Sequence, residues 1–163
     1  MPGSPSVAAL VAPFAAWLGR WEGEGRGLWA AEPPFRYRDS LTIEAVPDRA
    51  LLLIAQRTTV FDSGELSHAE MGYLRVLPDQ RVELVLAVPA GYVEVHTGQL
   101  QGGLLELQPH SISASPTARP LRLVQRRWER DQDVLRSSVG IAIGDQPLAA
   151  HVESWLRRTA SAG

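Results

Sequence analysis

The four histidines of this sequence are its best candidates for binding a metal. They are His68, His96, His110 and His151. No two are spaced two or four residues apart, so a chelating zinc cluster has no local support. Any one of them taken alone is more often a hydrogen-bonded, partly buried residue than a ligand. His96 shares a strand face with Tyr92 and Glu94, which we expect to face solvent. His110 adjoins Pro109, where we expect a turn.

Two residue types that carry much enzyme chemistry are missing from the 163 residues. There is no cysteine, which excludes disulfides, thiolate metal sites and cysteine nucleophiles. All 16 basic residues are arginine, so Schiff-base and P-loop chemistry, which need lysine, are excluded as well. The sequence also shows no convincing general acid–base pair.

Charge and hydropathy narrow the class of protein. With 18 acidic residues the net charge is −2, and the pI of about 6.1 argues against a nucleic-acid-binding protein. No apolar run approaches the roughly 20 residues needed to span a bilayer, and the N-terminus lacks the basic region of a signal peptide. We therefore expect one cytoplasmic domain over residues 1–163 that contacts neither nucleic acid nor membrane.

The sharpest motif is Gly-Arg-Trp-Glu-Gly-Glu-Gly-Arg-Gly at residues 19–27. At the two-residue period of a strand, one face carries four charged side chains, and the other carries only glycines and Trp21. The charged face must meet water, so the glycine face points inward. Strong strand curvature and close approach of a ligand both explain such a face, and both stay open.

The elements that must position these residues are mostly strands. Residues 6–17 are apolar nearly all round, which predicts a short buried helix, or two turns, interrupted near Pro13. After residue 18, apolar and polar residues alternate between turn signals. Besides the glycine segment and a C-terminal segment, strands are predicted around 35–44 and at Leu51–Val60, Leu66–Leu77, Val82–Val88, Tyr92–Thr97, Leu104–Leu107, Leu121–Trp128 and Val134–Ile143.

About ten strands joined by hairpins, with no helical crossovers, predict an all-β fold, a single up-and-down antiparallel barrel with a short N-terminal helix. Closure into a barrel removes the two sheet edges that an open meander would expose. Ser111–Pro120 is predicted to form a loop across one barrel end. Eight to ten strands enclose a lumen that holds one small ligand.

Nearly the whole chain resembles the nitrobindin family. The glycine motif matches G-x-W-x-G-x-G-x-G, residues 34–37 resemble its Q-P-F-R-Y, and residues 68–75 resemble H-x-E-x-G-Y-x-R. Residues 83–87 and 91–95 resemble its paired E-x-x-x-A and G-x-x-E-V strands, and residues 146–158 resemble its haem-ligand strand. Members are ten-stranded barrels, shaped like fatty-acid-binding proteins, that hold b-type haem non-covalently at the barrel mouth.

The resemblance implies a role for five residues. His151 takes the position of the axial iron ligand, which makes it the metal-binding and catalytic residue. His68 lies near the open haem face, either contacting haem or its ligand or serving only as a rim histidine. Val88 and Ile141 line the lumen, although core packing explains them equally well. Ala31 replaces a threonine beside the haem and removes its hydroxyl group.

The family's activity is implied in the same way: nitric oxide binding, and conversion of peroxynitrite to nitrate at a ferric, histidine-ligated haem. Met71, Val88 and Ile141 are then expected to form an apolar wall around the reacting nitrogen species. A barrel also suits a carrier of an apolar small molecule without haem, and a haem-based nitric oxide sensor is a third reading. Assembly into a homodimer is left open.

Overall fold

The computed structural model describes residues 4–28 and 34–159, in which ten antiparallel strands close into one barrel. Each strand pairs with the next in the chain, and the first pairs with the last, which confirms the predicted up-and-down barrel. The strands are β1 Gly19–Gly27, β2 Arg36–Ala45, β3 Leu51–Val60, β4 Leu66–Val76, β5 Arg81–Val88, β6 Tyr92–Gln101, β7 Leu104–Ala114, β8 Leu121–Asp131, β9 Val134–Ile143 and β10 Ala149–Arg158.

Strand β7 is where the sequence prediction of an element was most wrong. It runs on to Ala114, well past the predicted end at Leu107, so Ser111–Ala114 is strand and not loop. His110 therefore lies within β7 and not in a turn. The register shifts between Val95 and His96, whose partners are Ser111 and Pro109, so His110 is the extra residue of a bulge. A bulge tolerates a proline, which cannot donate to the ladder, and this is why Pro109 misled the prediction.

A short helical segment closes one end of the barrel. Helix α1 spans Val7–Val11, and a 3₁₀ helix follows at Ala12–Trp17, with Pro13 in its first turn as the predicted interruption. Only the second half is buried, through Phe14 and Trp17. The expectation of a buried segment is therefore wrong for α1, which has no buried residue. Within residues 4–28 and 34–159, no helix is long and apolar enough to cross a membrane.

The core fills the half of the lumen next to this helix. Its fully buried side chains come from the inward face of nearly every strand and include Trp21, Leu41, Ile54, Leu84, Leu107, Trp128 and Leu156. The Trp21 indole donates to the carbonyl of Trp17 over 2.9 Å, which ties the helical segment to β1.

The glycine face of β1 points inward, as predicted, and the chain's own atoms occupy the space beside it. A Cβ at Gly23 would lie 2.0 Å from the carbonyl oxygen of Trp155. At Gly25 it would lie 2.2 Å from the Tyr37 ring, and at Gly27 only 2.0 Å from the ring of Phe35. Close packing by neighbouring strands and aromatic rings therefore accounts for these three glycines.

Candidate functional site

The barrel end opposite the helix, which we call the mouth, collects the predicted site residues. His151 is the third residue of β10 and His68 the third residue of β4, and both strands begin at the mouth. Val88 ends β5, and Ile141 lies near the end of β9, so both also belong to the mouth. Ala31 lies outside the described residues. The topology thus brings together four residues that are far apart in the sequence.

His151 occupies a bulge in β10. Ala150 pairs with Gly140 and Val152 pairs with Val139, so His151 is the extra residue between them. The His151 carbonyl accepts a hydrogen bond from the Leu28 amide over 2.7 Å, which fixes the backbone at this point. A bulge redirects a side chain out of the regular strand alternation and recurs next to functional sites.

Burial and the charge of His68 both lower the pKa of His151. The ring is therefore neutral at physiological pH, which is the form whose nitrogen binds a metal. Strands β4 and β10 lie four places apart around a ring of ten, so His68 reaches His151 across the mouth rather than along one sheet face. The two histidines thus flank the same opening.

Beneath the mouth the lumen holds a buried charged cluster that the sequence did not predict. The Arg126 guanidinium donates to both oxygens of Glu70 over 2.8 and 2.9 Å, and its Nε donates to Glu94 Oε2 over 2.9 Å. All three side chains are at least 95% buried. Glu70 Oε2 lies 3.1 Å from His68 Nε2, and Glu94 Oε2 lies 2.9 Å from His96 Nε2.

Both carboxylates of this cluster are ionised. Burial alone would raise the pKa of Glu70, but Arg126 and the hydrogen bond with His68 lower it to about 2. Burial likewise works against ionisation of Glu94, whose pKa is nevertheless lowered by the hydrogen bond with His96 and by Arg126. The same two carboxylates raise the pKa of Arg126, so the cluster contains two fixed negative charges and one positive charge.

A second polar group lies on the β1, β2 and β10 side of the lumen. Asp39 Oδ2 accepts from Gln56 over 2.7 Å and from the Ser154 hydroxyl over 2.5 Å. The Tyr37 hydroxyl donates to the carbonyl of Glu153 and lies 2.9 Å from Ser154 Oγ. Burial raises the pKa of Asp39 and raises that of Tyr37 to about 12. These side chains lie directly behind the glycine face.

Two predictions about the lumen are wrong. His96, expected to face solvent with Tyr92 and Glu94, is fully buried, and Tyr92 and Glu94 are also buried. Met71, expected in the apolar wall of the pocket, is 61% exposed on the outside of the barrel.

One sequence signal marked the cluster. Arg126 alternates with Val124 and Trp128 in β8, so a charged residue stands on a face that is otherwise apolar and buried. The alternation predicts which face of β8 contains Arg126, but it does not predict the partners of Arg126. Glu70 and Glu94 are 56 and 32 residues away in the chain.

The mouth fits a haem held by one protein ligand. His151 offers a neutral imidazole nitrogen, and no group of three or more acidic, cysteine or histidine residues within 4–28 and 34–159 could hold a metal ion instead. Val88 and Ile141 are partly buried, and Ile141 pairs with the buried Val124, which gives the mouth an apolar side. Haem needs one strong axial ligand and an apolar surround.

Known proteins resemble this chain over most of its length. A family model for the THAP4-like, heme-binding beta-barrel domain matches residues 10–158. Peroxynitrite isomerase 2 of Mycobacterium avium is 39% identical over 158 residues, which cover 94% of this chain and 95% of that protein. Peroxynitrite isomerase 1 of Rhodococcus jostii is 34% identical over 157 residues, covering 96% and 87%.

The fold agrees with a solved structure of a similar protein. The crystal structure of Rv2717c from M. tuberculosis superposes with a TM-score of 0.85 at 32% identity, covering 93% of this chain and 98% of that one. These matches confirm the resemblance to the nitrobindin family, and the chain belongs to the THAP4-like, haem-binding β-barrel family.

Proposed function

We propose that this protein is a haem-dependent peroxynitrite isomerase, which holds a ferric b-type haem at the mouth through His151 and also binds nitric oxide there. One observation carries the proposal: a neutral imidazole on a bulge, at the mouth of a barrel whose relatives bear that name. When bound, the haem iron supplies the chemistry that rearranges peroxynitrite to nitrate.

The chain's residues supply position and environment. His151 donates its nitrogen lone pair to the iron, and the Leu28–His151 backbone hydrogen bond of 2.7 Å holds the bulge in place. Val88 and Ile141 exclude water from the side of the pocket. His68, across the mouth from His151, lies on the side where a small ligand meets the protein.

The haem-free carrier is the weaker candidate. Carriers of this shape hold a fatty-acid carboxylate with a buried arginine, and Arg126 is the buried arginine of the lumen. Its Nε and both terminal nitrogens already donate to Glu70 and Glu94, which leaves it unsuited to a second carboxylate.

The experiment is a haem titration of the parent chain and of two single variants. We expect His151→Ala to lose the Soret band of ferric, histidine-ligated haem and the catalysed decay of peroxynitrite. His68→Ala is the matched control, since it removes the other mouth histidine, and we expect it to keep the Soret band. If the parent chain takes up no haem but binds a fatty acid, the proposed enzyme function is wrong and the carrier function takes its place. A normal spectrum in His151→Ala would place the iron ligand elsewhere.

We further propose that the protein forms a homodimer through the outside of strands β3–β6. Two neighbouring rows of outward side chains cross these four strands, and every member is apolar: Ala55, Met71, Ala87 and Val93 in one row, and Leu53, Tyr73, Val85 and Val95 in the next. Met71, Tyr73 and Val93 are each at least 45% exposed. A contiguous exposed apolar patch on a folded domain marks an interaction surface.

Light scattering after size exclusion tests the homodimer. We expect Tyr73→Glu to shift the molar mass from twice that of the chain to that of one chain. Val7→Glu, which changes an apolar residue 40% exposed on α1, is expected to leave the mass unchanged. A parent chain that elutes as a monomer at micromolar concentration refutes the proposed dimer.

A further inference from the structure

Two histidine–carboxylate pairs are arranged as mirror images around Arg126. In β4 the order is His68-x-Glu70, and in β6 it is Glu94-x-His96, so each histidine stands two residues from its glutamate on the same strand face. Arg126 in β8 bridges the two carboxylates. A continuous hydrogen-bonded chain therefore runs from His68, Glu70 and Arg126 to Glu94 and His96.

The charges of these side chains determine which atom donates in each hydrogen bond of the cluster. A carboxylate that is ionised only accepts hydrogen bonds, so Nε2 must carry the proton in both histidines. Arg126 has no acceptor and must donate to both glutamates. A neutral ring in either pair is thereby held as the Nε2–H tautomer, with its lone pair on Nδ1.

The two pairs differ in where they lie. His96 is fully buried, and its Nδ1 has no hydrogen-bond partner among the described residues. The side chain of His68 is 39% exposed at the mouth, where it interacts electrostatically with His151. Within residues 4–28 and 34–159, the hydrogen bond with Glu70 is the one the structure gives the His68 ring. Only the His68 pair therefore meets the site.

We propose that Glu70, held in place by Arg126, is a positioning residue that fixes the tautomer and orientation of His68. His68 then meets a small polar ligand on the side of the mouth opposite His151 through Nδ1. A neutral ring offers a lone pair there, and a protonated ring donates a hydrogen bond to an anion. The role toward the ligand rests on the proposed function, whereas the fixed tautomer does not.

The change Glu70→Gln separates positioning from simple packing. A glutamine side chain has one oxygen, which Arg126 must take because it has only donors, and this turns the amide nitrogen toward His68. The amide donates, so His68 Nε2 must accept and the proton moves to Nδ1. We expect long-range ¹H–¹⁵N spectra of the imidazoles in the haem-free chain to show His68 as Nε2–H in the parent and as Nδ1–H in Glu70→Gln.

Glu94→Gln is the matched control, because it makes the same change on the other side of Arg126. Glu94→Gln is expected to change His96 to the Nδ1–H tautomer and to leave His68 in the Nε2–H tautomer. The signals are assigned with His68→Ala, and amide spectra of each variant establish that it is folded. An Nδ1–H tautomer of His68 in the parent overturns the proposal even if Glu70→Gln does not fold. The same shift of His68 in both variants also overturns it.

Azide binding to the ferric haem protein tests the contact with the ligand. Loss of a hydrogen bond to a charged group weakens binding about tenfold. Glu70→Gln turns an Nδ1–H donor toward the anion, so we expect it to lower the Kd of azide by this factor. In the double variant with His68→Ala, we expect this gain to disappear. A lowered Kd that persists in the double variant would mean that Glu70 acts on its own. A parent that takes up no haem refutes the proposed function, while the tautomer result still decides the positioning role.

Discussion

Replacing Gly25 with alanine tests how closely the chain packs behind the glycine face. The new Cβ would lie 2.2 Å from Cζ and 2.4 Å from Oη of Tyr37, and ordinary contact begins at 3.4 Å, so the ring must move by more than 1 Å. Tyr37 is 3% exposed, so neighbouring atoms shield its ring from solvent almost completely. Its hydroxyl also bonds to the Glu153 carbonyl over 3.1 Å and lies 2.9 Å from Ser154 Oγ.

The expected loss of stability follows from these contacts. Overpacking of a core costs about 1–3 kcal/mol. Displacing the ring weakens two hydrogen bonds of about 0.5–1.5 kcal/mol each. Replacing a glycine normally gains only about 0.4–1 kcal/mol through the unfolded chain. The net effect is a destabilisation of roughly 1–6 kcal/mol, which lowers the Tm of a chain of this size by about 2–24 °C.

Thermal unfolding followed by circular dichroism measures this effect. Gly140→Ala is the control, because its Cβ would lie 3.3 Å from the nearest atom, the Ala149 carbonyl oxygen, and we expect a small change in Tm. In a Tyr37→Leu background the clash is absent, so Gly25→Ala should be close to neutral there. A Tm within 2 °C of the parent would refute the reasoning, as would an equal loss in both backgrounds.

Two further predictions concern the charged cluster of the lumen. The pKa of Glu70 falls from an ordinary 4.5 to about 2 on folding, so its carboxylate stabilises the protein above pH 4.5, and this is lost as the pH falls toward 2. Urea unfolding should give a lower free energy of unfolding at pH 3.5 than at pH 6, and this difference should be smaller in Glu70→Gln. A difference that is unchanged in Glu70→Gln would contradict the assigned ion pair. Arg126→Met leaves two buried carboxylates without their cation and should destabilise the fold by about 3–5 kcal/mol in urea, and a loss under 1 kcal/mol would contradict this.

Local patterns predicted the barrel well because hairpins join neighbours. The two-residue period located β3 and β9 to the residue, and it failed in β7 where Pro109 sits at a bulge. The position of His151 came from the resemblance, since a single histidine in a strand has no pattern of its own. Its role as iron ligand, the cytoplasmic location and the single domain over residues 1–163 stay predictions.

The charged cluster escaped prediction because its partners are distant in the chain. The sequence alone predicts that the strand face of Glu94 and His96 points to solvent. A polar face becomes buried when another strand supplies the opposite charge, and that charge is Arg126, 32 residues further on. Only the closed ring brings β4, β6 and β8 to a common lumen, so the contact is a property of the topology rather than of any segment.

Stability alone does not explain why the lumen contains charges. Replacing a buried ion pair with apolar residues of similar volume is often neutral or stabilising, because desolvation offsets the attraction. The helix end of this barrel shows the alternative, since its core consists of fully buried apolar side chains such as Trp21, Leu41 and Leu84. The charged cluster of Glu70, Arg126 and Glu94 lies between this apolar core and the mouth. His68 at the mouth is bonded to one end of it. A ring held by a buried ionised carboxylate keeps one tautomer, whereas a ring in water exchanges between two. The cluster therefore makes physical sense as a support for the mouth rather than as a source of folding free energy.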